Sequence, residues 1–139
     1  MKLVVDANIL ISALIRDGAS REIIFANEFN LVCPEYLSEE LEKYKILIAN
    51  KSGLTAEEVS LMIALLFKRI RIIPSADYQT KMLEAESLME NDISDAPYVA
   101  CYIATKSEGI WTNDSDFVGK RRVTVYRTED LLKLMRIRG

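Results

Sequence analysis

Apolar residues recur along this chain in two rhythms, short runs of three or four and longer stripes at helical spacing, and their alternation predicts strands that each lead into helices. Lys2 to Val5 reads as a buried strand, after which Ile9, Leu10, Ala13 and Leu14 follow at helical spacing until Asp17-Gly18 breaks the run. A second helix passes through Ile23, Ile24 and Ala26. Leu31-Val32-Cys33 predicts a second strand, stopped by Pro34, and Leu37, Leu41, Tyr44 and Ile48 form one face of a third helix. Thr55 with Glu58 three residues later is a capping box, and it opens a fourth helix with the stripe Val59, Met62, Ile63, Leu66, Phe67 and Ile70.

Arg71-Ile72-Ile73 before Pro74 predicts a third strand, and Tyr78, Met82, Ala85 and Met89 the inner face of a fifth helix. Another helix starts near Ser94 or Asp95, with Pro97 tolerated in its first turn, and Gly109 ends it. Ile110-Trp111-Thr112 and Val123-Thr124-Val125-Tyr126 complete the strands, and Thr128 to Met135 closes the chain as a helix. Strands alternating with helices imply parallel crossovers and a sheet covered by helices, an α/β fold.

A length of 139 residues suits a single domain spanning 1–139. No apolar stretch is long enough for a membrane span, and the N-terminus enters strand-like sequence without a secretory signal. Cys33 and Cys101 belong to no CxxC pair. Two buried thiols in a reducing cytoplasm are the expectation.

Histidine is absent, which excludes His-based nucleophile systems, His-bearing zinc sites and a His general base. The net charge of −3 gives no global attraction to nucleic acid. Its distribution is more informative: residues 76–95 carry six acids against Lys81 alone, and residues 119–139 carry seven bases against Glu129 and Asp130. An acidic site beside a basic surface can hold a metal and grip a phosphate backbone, although a salt-bridged surface yields the same basic tract.

Two acids stand where strands end. Asp6 follows Leu3-Val4-Val5, and Asp114 follows Ile110-Trp111-Thr112-Asn113. Open α/β sheets bind ligands at such ends, near the switch point, although for one Asp alone helix capping is the better explanation. Asp95 starts a helix, and Glu40 borders the apolar face of the third one. Carboxylates about 5 Å apart repel by roughly 3 kcal/mol at an effective dielectric near 20, so a cluster of these acids needs protons or cations. Oxygen-only ligands favour Mg²⁺ or Mn²⁺ over zinc.

Val5-Asp6-Ala7-Asn8-Ile9-Leu10, Asp92-Ile93-Ser94-Asp95-Ala96-Pro97-Tyr98-Val99-Ala100 and Trp111-Thr112-Asn113-Asp114-Ser115-Asp116-Phe117, with the weaker Ser38-Glu39-Glu40-Leu41, resemble the motifs of the PIN-domain metal-dependent ribonucleases. That family includes the toxins of VapBC-type toxin-antitoxin modules. The resemblance covers nearly the whole chain and implies a three-layer α/β/α fold with a central parallel sheet of strand order 3-2-1-4-5. It implies Asp6, Glu40, Asp95 and Asp114 as the catalytic quartet and Asp6, Asp95, Asp114 and Asp116 as metal ligands. Asn8, Ser12 and Thr112 would support them. Asp92 rivals Asp95, and Glu39 rivals Glu40.

The implied activity is Mg²⁺- or Mn²⁺-dependent hydrolysis of single-stranded or loop RNA, with a non-catalytic partner- or RNA-binding module as the alternative. The implied partners are RNA, a small antitoxin and a second copy of the chain, in the cytoplasm. Arg16, Lys43, Arg121 and Arg122 are candidates for the RNA backbone and Tyr36, Tyr44 or Trp111 for base stacking, with Tyr44 and Trp111 better explained as core. A receiver domain would place adjacent acids after its first strand, and a haloacid-dehalogenase-like phosphatase needs an Asp where Asn8 stands.

Overall fold

The structure is a computed structural model that describes residues 1–89, 93–114 and 123–138. Five parallel strands, β1 (Lys2–Val5), β2 (Asn30–Pro34), β3 (Ile70–Ile73), β4 (Gly109–Trp111) and β5 (Val125–Tyr126), lie in the order β3-β2-β1-β4-β5. This is the order that the family resemblance implies. It places the strand before Asp6 beside the strand before Asp114, and the Asp6 N–H extends the pairing by donating to the Trp111 carbonyl at 3.1 Å.

Helices cover both faces. On one side α1 (Ala7–Ile15) packs against α2 (Ala19–Ala26), α3 (Glu35–Ser52) and α4 (Ala56–Leu66), and α8 (Thr128–Arg138) joins α2. On the other, α5 (Ser75–Tyr78) and α6 (Met82–Leu88) pack on α7 (Ala96–Thr105), which lies against β1, β2 and β4. Leu3, Val4, Val5, Val32, Cys33, Ile110 and Trp111 are almost wholly buried between the layers, as expected for strands covered on both faces. Both cysteines are buried free thiols, and burial raises the pKa of each, that of Cys101 to about 12. Among the described residues no helix is long and apolar enough to cross a membrane.

Local signals account for most boundaries. The Thr55 hydroxyl accepts the Glu58 N–H at 3.1 Å and Glu58 accepts the Thr55 N–H at 3.0 Å, so the capping box is present. The stripe read from Val59 onward outruns its helix, because α4 stops at Leu66 with Phe67 as C-cap and Ile70 is buried as the first residue of β3. The fifth helix is broken: a 3-10 turn at Gln79–Lys81 separates α5 from α6, and Tyr78 is anchored there by accepting the Tyr36 N–H at 3.3 Å. Tyr78, Ala85 and Met89 nevertheless face the core. Pro34 closes β2 rather than following it, at a position past the last β1–β2 pair, where its missing N–H costs that ladder nothing.

Gly109 does not end α7. That helix stops at Thr105, with Lys106 in the left-handed conformation as its C-cap, and Gly109 begins β4. Glycine is needed there for contact, because a Cβ would lie 2.5 Å from Tyr126 Cδ2 and 3.2 Å from the Thr124 carbonyl. Gly109→Ala is therefore expected to cost about 1–3 kcal/mol by overpacking, read as a lower denaturation midpoint. Adding Tyr126→Leu should recover part of the loss. A midpoint equal to that of the wild type would mean that the ring yields without cost.

Candidate active site

The acids brought together lie where β1 and β4 end. Asp6 holds the N-cap position of α1, yet its side chain makes no capping hydrogen bond. Its Oδ2 instead accepts the Thr112 Oγ1–H at 2.7 Å, and the Thr112 oxygen accepts the Asp114 N–H at 3.0 Å. Thr112 is fully buried, so it acts as a fixed bridge between the two strand-end acids. Capping alone therefore does not explain Asp6, whose carboxyl is bound by Thr112 as well as lying near the Ala7 and Asn8 N–H groups.

Asp6 is 3% exposed. Burial raises its carboxyl above the usual range, the Thr112 hydrogen bond and the Ala7 and Asn8 N–H groups oppose that shift, and the neighbouring Asp114 charge adds to it. A buried carboxylate beside another acid gains from a cation at that spot.

An open cleft of about 510 Å³ extends from Asp6 and is lined by Asn8 of α1, Tyr36, Glu40 and Tyr44 of α3, and Ser94, Asp95 and Tyr98 around the start of α7. Glu40 turns inward and Glu39 does not; Glu39 lies in a different groove, beside Tyr78. Glu40 is held by Lys43 Nζ at 3.3 Å. The Tyr36 phenol is pushed up to about 12, first by burial and then by its hydrogen bond to Glu40 and that residue's charge. Asp95 ends a 3-10 turn at Ile93–Asp95 and stands as N-cap of α7 without a side-chain cap, its carboxyl at the cleft.

Sequence reasoning missed Tyr98. It is one helical turn after Asp95, a spacing visible in the sequence. The phenol oxygen is buried without a hydrogen-bond partner among the described residues, and its pKa is raised by burial and by the charges of Asp6, Tyr36, Glu40 and Asp95. Its ring meets Tyr36 edge-on, with centroids 6.1 Å apart. An unsatisfied donor facing three carboxylates is suited to a ligand or an ordered water.

The other sequence candidates fall in several places. Asn8 is exposed at the cleft, whereas Ser12 lines a separate recess further along α1. Tyr44 is not core: it is 40% exposed at the cleft mouth, because α3 turns that position outward. Trp111 is fully buried, with its Nε1–H donated to Thr128 Oγ1 at 3.0 Å. Asp92, Asp116, Arg121 and Arg122 lie outside the described residues.

Among the described residues no three carboxylates stand close enough to enclose a metal ion. The donor set still suits a hard cation in kind. It is all oxygen, it carries a buried acid whose neighbour repels it, and the unpartnered Tyr98 hydroxyl adjoins it. Mg²⁺ keeps several waters and needs only one or two direct carboxylates, so an open arrangement of this type is compatible with it.

Thr112→Val keeps the side-chain shape and removes the bridge. It is expected to weaken divalent-ion affinity about 10–100-fold, as loss of a group orienting a metal ligand does. Calorimetric Mn²⁺ titration would read this, and unchanged affinity would show that the bridge does not position Asp6.

The sequence profile of the PIN domain family matches residues 4–133. No curated protein matches the chain.

Proposed function

The chain belongs to the PIN domain family, whose members are generally nucleases and usually use divalent metal ions, and we propose that it is a metal-dependent ribonuclease acting on single-stranded or loop RNA. The observation that carries this proposal is the convergence of Asp6, Glu40 and Asp95 on one cleft, with Asp114 tied to Asp6 through Thr112. Asp6, Asp95 and Asp114 would hold Mg²⁺ or Mn²⁺, with Glu40 directly or through water. When bound, such an ion supplies a water of lowered pKa and neutralises charge on phosphoryl oxygens.

The chain's own groups have distinct tasks. Thr112 keeps the Asp6 carboxylate in one orientation, and Tyr36 with Lys43 restrains Glu40. Tyr98 would donate its buried hydroxyl to a water held between the acids. Tyr44, exposed at the mouth, offers a face on which a base can stack. Water is the nucleophile here, so the RNA 2′-OH is not consumed. The products should be linear, without 2′,3′-cyclic phosphate ends.

The test is cleavage of a pooled RNA in Mn²⁺ with analysis of the new ends. Linear ends support the proposal; cyclic phosphate ends contradict attack by water, and no cleavage contradicts the nuclease and leaves a binding module. A small antitoxin and a second copy of the chain are the partners we propose for a toxin role.

Tyr98→Phe removes only the unpartnered hydroxyl. Cleavage is expected to fall about 10-fold, the roughly 1–1.5 kcal/mol that one hydrogen bond carries, while the melting temperature stays the same or rises, because an unsatisfied buried donor has gone. Full activity in Tyr98→Phe would reduce Tyr98 to packing.

A further inference from the structure

Further along α1 from Asn8 lies a second recess, small and polar, of about 80 Å³. Among the described residues it is lined by Ser12, Arg16, Gly18, Ala19, Ser20, Asn113 and Thr128, and by no carboxylate. It opens onto the N-terminus of α2, where the N-cap is Gly18, so no side chain caps the first-turn N–H groups. The partial positive charge of that helix end faces the recess, with Glu22 of the first turn and Asp17 before the cap as the acids beside it.

Ser20, in the first turn, is 8% exposed and lines the recess, and its hydroxyl has no hydrogen-bond partner among the described residues. That leaves the Ser20 hydroxyl to be given to an incoming acceptor. Thr128 adds a donor by elimination. Its Oγ1 accepts Trp111 Nε1–H and Asn113 Nδ2–H, each at 3.0 Å, so both lone pairs are used and its own O–H remains to be given. The Asn113 Oδ1 accepts the Thr128 N–H at 3.0 Å, which fixes the amide and leaves one further N–H.

Arg16 is exposed at the rim and brings a full positive charge. Arg21 is committed elsewhere, with its Nε–H donated to the Ala13 carbonyl at 2.9 Å. The nearby acids Asp17 and Glu22 are exposed, where water and salt screen them. Hydroxyl, amide, backbone and guanidinium donors around a helix N-terminus are the chemistry of an oxyanion site.

We propose that this recess binds a phosphate group, and that the phosphate belongs to an RNA strand whose scissile bond lies in the neighbouring carboxylate cleft. The assignment to RNA rests on the nuclease function proposed above. The two sites share their scaffold: Asn113 immediately precedes Asp114, and Ser12 lies one turn after Asn8. A strand crossing α1 would thus seat one phosphate in the recess while presenting another to the acids. The recess sets register, and the cleft does the chemistry.

Inorganic phosphate at constant ionic strength is the first probe. Millimolar phosphate should shift the Ala19 and Ser20 amide signals in NMR spectra of the wild-type protein, and Ser20→Asp, which puts a carboxylate in the recess, should abolish the shifts. No shift in the wild type overturns the site. Should Ser20→Asp fail to fold, Arg16→Gln at the exposed rim replaces it, with phosphate binding at least about threefold weaker.

The second probe is a short single-stranded RNA in EDTA. Arg16→Gln should reduce the slope of log affinity against log salt by about 0.7, the value for one lost phosphate contact on a single strand. With Mn²⁺, Ser20→Asp should raise KM for RNA about tenfold, the loss falling mainly in KM. Amide shifts with unchanged slope and KM would assign the recess to free phosphate and overturn its assignment to the strand. If the wild type cuts no RNA, the nuclease function fails, yet the phosphate titration and the EDTA slope still decide the recess.

Discussion

Asp6→Asn is expected to cut divalent-ion affinity at least about 100-fold while making the metal-free protein more stable. The loss follows from removing a charged oxygen ligand, which should exceed the 10–100-fold typical of changes to groups that merely orient a ligand. The gain follows from burial. Asp6 is nearly inaccessible, and its pKa is raised by desolvation and by Asp114 despite the Thr112 hydrogen bond. Asn keeps an oxygen for the Thr112 hydroxyl and removes the charge, and relief of one unfavourable group commonly gives about 0.5–2 kcal/mol.

The pH dependence has a definite sign. A carboxyl whose pKa is higher folded than unfolded lets the native state hold its proton more tightly. Its stabilising contribution is complete below the ordinary carboxylate value of 3.8 and is lost as pH rises through the raised value. The metal-free wild type should therefore lose part of its melting temperature as pH climbs out of the acid range, and Asp6→Asn should flatten that decline. Added Mn²⁺ should restore the wild type alone. Melting curves across pH, with and without Mn²⁺, check both statements, and a variant less stable than the wild type at neutral pH would mean that the Asp6 charge is stabilising.

Trp111→Ala should be the most damaging core substitution, costing about 3–5 kcal/mol, the usual range for truncating a buried aromatic residue. That is a large share of the roughly 5–15 kcal/mol that holds a typical domain folded. The ring is fully buried, its Nε1–H is donated to Thr128 at the start of α8, and its carbonyl receives the Asp6 N–H. Core, terminal helix and site are joined at this residue. Trp111→Phe retains most of the buried surface and loses the indole donor, at about 1–2 kcal/mol. Urea midpoints would rank the two, and near-equal midpoints would show that the hydrogen bond rather than the volume carries the effect.

The inner strands and most helix starts were legible because β1, β2 and β4 are covered on both faces and so form apolar runs, and because Thr55-Glu58 announces its helix chemically. The breaks were not. Lys106 takes a left-handed conformation that its side chain does not advertise, and the 3-10 turn at Gln79–Lys81 leaves the apolar spacing of Tyr78, Ala85 and Met89 intact. Gly109 looked like a helix terminator because its actual constraint, the Tyr126 ring, lies on another strand.

The site divides in the same way. Asp6 and Asp114 could be placed from their strands because strand order makes those strands neighbours, and the Thr112 bridge between them follows from that adjacency. Tyr98, Tyr44 and Ser20 depend on how helices rotate about their axes, to which apolar periodicity is nearly blind at the edge of a buried face. The separation of Ser12 from the cleft has the same origin.

The decisive measurement is cleavage of a pooled single-stranded RNA by identically prepared wild-type and Asp6→Asn proteins, titrated from EDTA into Mg²⁺ or Mn²⁺. If the strand-end acids form a nuclease centre, the wild type cuts only as the metal is added and Asp6→Asn is slower by about 100-fold or more. Equal cleavage by the two proteins, or cleavage by the wild type that persists in EDTA, would contradict it.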